Sequence, residues 1–209
     1  MRSLKKTILL KIDPDRPDKK IISQAACALR SGGLVAFPTE TVYGLGANLL
    51  NKKAVAKLYE VKDRPENKPF TVHIENISAI KSAGCRITKE AKILIDKYWP
   101  GPLTIILARE DGLKTGFRMP ANKIALELIK EAGVPVVAPS ANISGQTPPT
   151  TPDDVIGQLD GKIDILLDAG PTDVGIESTV VDMTVIPPSV LREGAIKKGE
   201  LLKAIYSAL

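Results

Sequence analysis

Residues 37–48 read Phe37-Pro38-Thr39-Glu40-Thr41-Val42-Tyr43-Gly44-Leu45-Gly46-Ala47-Asn48 and come directly after the apolar run Leu34-Val35-Ala36. The run suits a buried strand that ends at Phe37. The residues after Phe37 are rich in hydroxyls and punctuated by glycines, a composition that no stable helix or strand needs. Glycine lets a backbone turn tightly or come close to something else. Thr39, Glu40, Thr41 and Tyr43 are therefore expected to line a site at the strand end. The next polar cluster, Lys62-Asp63-Arg64-Pro65-Glu66-Asn67-Lys68-Pro69, adds cations. Hydroxyls with cations point to a polar, phosphate-bearing ligand.

On either side of this stretch, Thr7 to Ile12 reads as a first strand, and Asp18 to Arg30 as a helix closed by Gly32-Gly33. Asn51 caps a helix to about Lys62, where Pro65 prevents much continuation. Phe70 to Ile74 alternates, with Phe70, Val72 and Ile74 on one side and Thr71 and His73 on the other. Helices are predicted over Thr88 to Tyr98, Lys123 to Ala132, from Thr151-Pro152-Asp153-Asp154 onward, and over Gly199 to Ala208. Extended segments are predicted at Leu103 to Ala108, Gly116 to Pro120, Val134 to Ala138, Ile163 to Leu167, Ser178 to Asp182 and Val190 to Arg192. No repeat or domain-scale linker interrupts the chain. Residues 1–209 are thus expected to form one α/β domain whose tight strand-to-strand links make a mixed sheet.

The net charge of +5 is compatible with nucleotide or nucleic-acid partners. Cys27 and Cys85 form no CxxC, and Cys27 shares a helical pattern with Ile22, Ala25 and Leu29, so it is expected to be a small buried apolar residue. With His73 as the single histidine, no zinc site of the usual kind can be assembled, and no metal ligand is assigned. No apolar run reaches transmembrane length and the first residues carry no long apolar stretch, so the cytoplasm is the expected compartment, with no membrane partner. Walker, GxGxxG, GxSxG, HExxH and kinase signatures are all absent, which excludes the common phosphate loops.

Five polar segments succeed or interrupt the apolar strands: 38–48, 62–73, 118–120, 139–145, and 175–179 with Arg192 beyond. Ligands of open α/β sheets favour crevices at strand ends, so these segments are expected to converge. Lys62 falls four residues after Leu58 and seven after Val55, which turns its ammonium toward the domain, and Arg64 stands past the helix end. The competing reading is that such residues merely complement the helix dipole. Pro139 to Gly145 offers hydroxyls, an amide and backbone N–H groups, as an anion nest or as an ordinary turn. Glu177-Ser178-Thr179 sets a carboxylate beside a buried strand, where it calls for a specific partner. Arg118 suits a carboxylate or phosphate, with a surface salt bridge as the alternative. His73 alone reads as structural or surface sooner than as ligand-binding.

Six segments in series resemble the YrdC family, the L-threonylcarbamoyladenylate synthases. They are Pro38 to Gly46, Lys62-x-Arg64-Pro65 with Lys68-Pro69, Arg118-Met119-Pro120, Pro139 to Gly145, Glu177 to Val180, and Leu191-Arg192-Glu193-Gly194. Singly these are weak; in order over nearly the whole chain they are specific. The resemblance implies a twisted, mixed sheet flanked by helices, with a positively charged concave face. It implies a nucleotidyltransferase that converts L-threonine, bicarbonate or CO2, and ATP to threonylcarbamoyl-AMP and pyrophosphate. ATP is then a substrate, and Mg2+ rides on it. A separate transferase assembly passes the threonylcarbamoyl group to an adenosine of tRNA, and direct contact with tRNA or double-stranded RNA is left open. By the same resemblance Lys62, Arg64, Ser140 and Asn142 are the catalytic Lys-x-Arg and Ser-x-Asn pairs. Arg64, Lys68, Ser140 and Arg192 would contact the nucleotide, and Thr41, His73, Arg118, Ala138 and Ser178 the threonine. Many relatives carry histidine where this chain has Asn122, and longer ones append a C-terminal domain whose linker covers the nucleotide. Here the site is expected to be more open, or closed by another segment. A non-catalytic RNA-binding module and a carbamoyl-phosphate-handling domain of the carbamoyltransferase type are the rival readings. Scarce aromatics for base stacking disfavour the first, and the lack of room for the second's neighbouring modules disfavours that one.

Overall fold

The structure, a computed structural model, describes residues 6–207. In chain order the elements are β1 (Ile8–Lys11), α1 (Lys19–Arg30), β2 (Val35–Phe37), β3 (Gly44–Asn48), α2 (Lys52–Lys62), β4 (Val72–His73), α3 (Ser78–Ser82) and α4 (Lys89–Tyr98). They continue with β5 (Leu103–Ala108), β6 (Lys114–Arg118), α5 (Lys123–Ala132), β7 (Val136–Val137), α6 (Pro152–Leu159), β8 (Ile165–Asp168), β9 (Thr179–Asp182), β10 (Ser189–Arg192) and α7 (Lys198–Tyr206). The helices start where polar caps satisfy their first free N–H groups: Asp18, Asn51, Thr88 and Asn122 each accept from the first turn. Thr151 and Asp154 close a reciprocal capping box before α6, with Pro152 in its first turn.

Ten strands form one mixed sheet in the order β1-β8-β2-β3-β7-β4-β6-β5-β9-β10. Alternation along each strand sends its side chains to two faces. Leu34 and Ala36 join Leu45, Val137, Phe117, Ile105 and Val181 in the larger apolar cluster, under α2, α4, α6 and α7. Val35 and Phe37 point the other way and, with Val136, Ile165 and Leu167, pack under α1 and α5.

Register shows where this second face is left bare. Val136 in β7 pairs with His73 in β4, and His73 with Arg118 in β6. Further along, Gly116 pairs with Ile106 in β5, and Ile106 with Asp182 in β9. Paired residues share a face, so His73, Arg118, Ile106 and Asp182 continue the surface that α1 and α5 cover over β2, β7 and β8. Neither helix reaches them, and a cleft opens there.

Three expectations need correction. Residues 44–48 were expected to lie outside regular structure but form β3, a fully buried strand between β2 and β7. Gly46 is required there, because a Cβ would sit 2.9 Å from the Phe37 ring. Cys27 is exposed rather than buried: the buried stripe of α1 is Ile22, Ala25, Ala26 and Leu29, and Cys27 lies about 140° round the helix from Ile22. The short helix α3 was not foreseen. Of the C-terminal helix, Ala208 lies outside the described residues. Among the described residues no helix is long and apolar enough to cross a membrane.

Candidate active site

The cleft has two adjoining lobes. The larger, about 530 Å³, is lined from β4, β5, β6 and β9 and by the loops around residues 64–70, 138–140 and 177–178. The smaller, about 300 Å³, lies under the C-terminal end of α2 and the 140–148 turn. Both lobes share Arg64, Lys68, Ser140 and Glu177. Both volumes are in or near the usual range for small-molecule sites, about 300–1,000 Å³.

Lys62 ends α2 on the stripe of Ala54 and Leu58, and only 2 % of it is exposed. Its ammonium donates to the carbonyls of Ser140 at 2.5 Å and Asn142 at 2.6 Å. The cation thus knits the turn from inside rather than merely complementing a helix dipole. Burial is the main cause, with Arg64 adding to it, of a Lys62 pKa lowered to about 8. The backbone then turns through Asp63, in the left-handed region at φ 48°. This reversal sends Arg64 to the cleft, where its Nε donates to Lys68 O at 3.0 Å and its guanidinium lies over the Phe70 ring.

Three N–H groups of the 139–145 segment are spent inside the fold. The N–H of Ala141 donates to Tyr43 O, that of Ser144 to Lys62 O, and that of Ile143 to the Gln158 side chain. Asn142 is buried, and its amide donates to Gln146 O at 2.7 Å. Ser140 remains on the wall of both lobes.

At the depth of the larger lobe stands Arg118, 5 % exposed. It donates from Nη2 to Thr41 Oγ1 at 2.8 Å and lies 2.9 Å from Glu40 Oε1. The Glu40 contact is an ion pair, and apart from it both Glu40 oxygens are without donors among the described residues. Beside Arg118, His73 is buried against the edge of Phe37, with Nδ1 unpartnered. Burial first, and then the charge of Arg118, pushes its pKa down to about 3, so the ring is neutral at ordinary pH.

The opposite wall comes from β9 and β10. A bulge between Val190 and Arg192 re-aims Arg192. Its guanidinium donates to Ser178 O at 2.9 and 3.1 Å and to Ser178 Oγ at 3.2 Å, and pairs with Glu177 at 2.7 Å. The chain beyond β10 comes so close to this corner that a Cβ on Gly194 would overlap the Glu177 carbonyl oxygen.

Of the residues singled out from sequence, Arg64, Lys68, His73, Arg118, Ala138, Ser140, Ser178 and Arg192 line the larger lobe. Lys62 and Asn142 line the smaller one. Thr41 stands behind Arg118, fully buried, and is not on the cleft wall. The opening motif as a whole is a buttress. Thr39 bonds Val42 O and Thr41, Tyr43 donates to Gly170 O, and Val42 supplies the wall. Asn122 is the N-cap of α5. Thr104, Lys114 and Asp182 also line the cleft and were not anticipated. Thr104 was legible as the one polar residue of Leu103-Thr104-Ile105-Ile106-Leu107-Ala108. Among the described residues no group of three His, Cys, Asp or Glu side chains is placed to hold a metal ion.

The geometry joins a buried guanidinium, suited to a carboxylate, with an outer cluster of cations suited to phosphates. Comparison with known proteins gives the family. The model of the Sua5/YciO/YrdC family, described as "Telomere recombination", matches residues 27–194. The chain belongs to this family. Threonylcarbamoyl-AMP synthase of Bacillus subtilis is 46 % identical over 190 residues, covering 86 % of this chain and 55 % of that protein. That of Pyrococcus abyssi is 43 % identical over 208 residues, covering 95 % and 61 %. The crystal structure of P. abyssi Sua5 complexed with L-threonine superposes with a TM-score of 0.90 at 41 % identity, covering 95 % of this chain and 61 % of that one. The α/β fold with its mixed, helix-flanked sheet is thus the Sua5/YciO/YrdC fold. The chain spans little more than half the length of these relatives.

Proposed function

We propose that the protein is a threonylcarbamoyl-AMP synthase, a nucleotidyltransferase that makes threonylcarbamoyl-AMP and pyrophosphate from L-threonine, bicarbonate or CO2, and ATP. The 209 residues would act as one unit. In this reading it works in the cytoplasm, and a separate transferase assembly consumes the product to form N6-threonylcarbamoyladenosine in tRNA. The carrying observation is that Arg118, at the depth of the cleft, and Arg64, Lys68 and Arg192, toward its outer part, line one continuous space.

Arg118 takes the threonine carboxylate, with Thr41 and Glu40 holding the guanidinium in place from behind. His73, neutral, and Ser178 flank the amino acid, beside Ala138. The threonine nitrogen adds to the carbon of CO2 and gives up a proton, leaving a carbamate. A carbamate oxygen then attacks the α-phosphorus of ATP, and the bond from that phosphorus to the pyrophosphate oxygen breaks. This step needs alignment and charge neutralisation more than a tuned base. Arg64, Lys68, Arg192 and Ser140 supply these to the phosphates, Ser140 from a turn tied down by Lys62 and Asn142. The cleft carboxylates Glu177 and Asp182 are already paired with Arg192 and Lys114. That fits Mg2+ arriving with the nucleotide, held mainly by phosphate oxygens and water. The excess of cations over these two carboxylates on the cleft wall supports a positive face, on which tRNA contact is a further proposal.

The test is pyrophosphate release from ATP with threonine and bicarbonate omitted in turn. Release that needs both is the expected result. Release indifferent to either omission refutes the reading.

A further inference from the structure

Thr104 has no role in the scheme above, yet it is a polar side chain 3 % exposed in an otherwise apolar strand, on the cleft wall. Its hydroxyl lies 3.0 Å from Ser178 Oγ, itself 5 % exposed and on the same wall. Among the described residues that is the only hydrogen-bond partner of the Thr104 hydroxyl.

Counting protons leaves two directions for this bond. A guanidinium only donates, so Ser178 Oγ accepts from Arg192 Nη2 at 3.2 Å. If Ser178 also donated to Thr104, the Thr104 proton would be the one left without a partner among the described residues, on the same cleft wall. If instead Thr104 donates, Ser178 Oγ accepts twice, both its lone pairs are used, and its own proton is left over. That proton has one open direction, the cleft. We infer that Thr104 is a positioning residue that, together with Arg192, aims the Ser178 O–H into the cleft as a fixed donor to the carboxylate or carbamate oxygens of the amino acid. The inference rests on the functional reading given above. An anionic oxygen meets a preset donor there, rather than a hydroxyl free to rotate.

The test uses pyrophosphate release at saturating ATP and bicarbonate, with threonine varied. Thr104→Val keeps the shape and removes the donor. It is expected to raise the threonine KM about tenfold, or about 1.4 kcal/mol, with kcat and the ATP KM changed less than about twofold. Thr104→Ser restores the donor and is expected to restore the KM. On a Ser178→Ala background Thr104→Val is expected to add nothing, because the two act as one unit. A threonine KM within about twofold of wild type in Thr104→Val, an equal rise in the ATP KM, or additivity with Ser178→Ala overturns the inference. Should the valine variant fail to fold, Thr104→Ala carries the same expectations. A wild-type protein that needs no threonine would instead refute the functional reading, which separates the two failures.

Discussion

Among the described residues Arg118 and Glu40 form the most buried ion pair, with both side chains nearly excluded from water. Such a pair adds little net stability, but removing one partner strands a charge. Glu40→Ala is expected to destabilise the fold by about 3 kcal/mol in urea denaturation, with Thr41 Oγ1 left to accept from Arg118 Nη2. His73 gives a second signature. Its folded pKa of about 3 lies below the ordinary 6.5, so between those values the unfolded chain binds a proton that the folded one refuses. Stability from this residue is therefore lost as pH falls below about 6.5, by at most about 1.4 kcal/mol per pH unit. Comparing urea midpoints of wild type and His73→Gln at about pH 5 and pH 7 is expected to show a shallower loss in the variant, since the charge it must exclude is gone. An identical pH dependence would contradict the burial of that ring. At this scale the sequence was partly legible. The apolar stripe of α2 pointed Lys62 inward, but nothing local distinguished Thr41 behind Arg118 from Thr41 on the cleft wall, because that depends on a contact across 77 residues.

Elements were most legible where a cap announced them. Asp18, Asn51, Thr88 and Thr151 each mark a helix start within reach of the observed one. β3 was not legible, since Gly44-Leu45-Gly46-Ala47-Asn48 carries almost no strand propensity. It is a strand because Phe37 needs the space over Gly46 and because β2 and β7 supply hydrogen-bond partners on both sides. The junction of α2 and the cleft hangs on Asp63, exposed and left-handed. A β-branched residue there meets the left-handed penalty, so Asp63→Val is expected to lower stability by about 1–2 kcal/mol while Asp63→Gly costs nothing. Equal stability of the two variants by thermal or urea denaturation would show that the turn is not held in this conformation.

For the whole molecule, the α/β class, its mixed sheet and the convergence of the polar segments could be read from the sequence, but the place of the cleft, over a bare face of the sheet rather than at strand ends, could not. It exists because α1 and α5 cover one end of a face whose other end, from β4 to β9, stays bare, and strand order alone sets that. Segments separated by more than a hundred residues, such as Thr71 and Ser178, thereby share one wall. The central claim is that this wall brings an amino acid and a nucleotide together in one turnover. The protein, given ATP, L-threonine and carbon-13 bicarbonate, can be assayed by mass spectrometry of its products. The expected result is threonylcarbamoyl-AMP carrying the label in its carbamoyl carbon, with pyrophosphate in equal amount. AMP or ADP accumulating with no labelled adduct would contradict it.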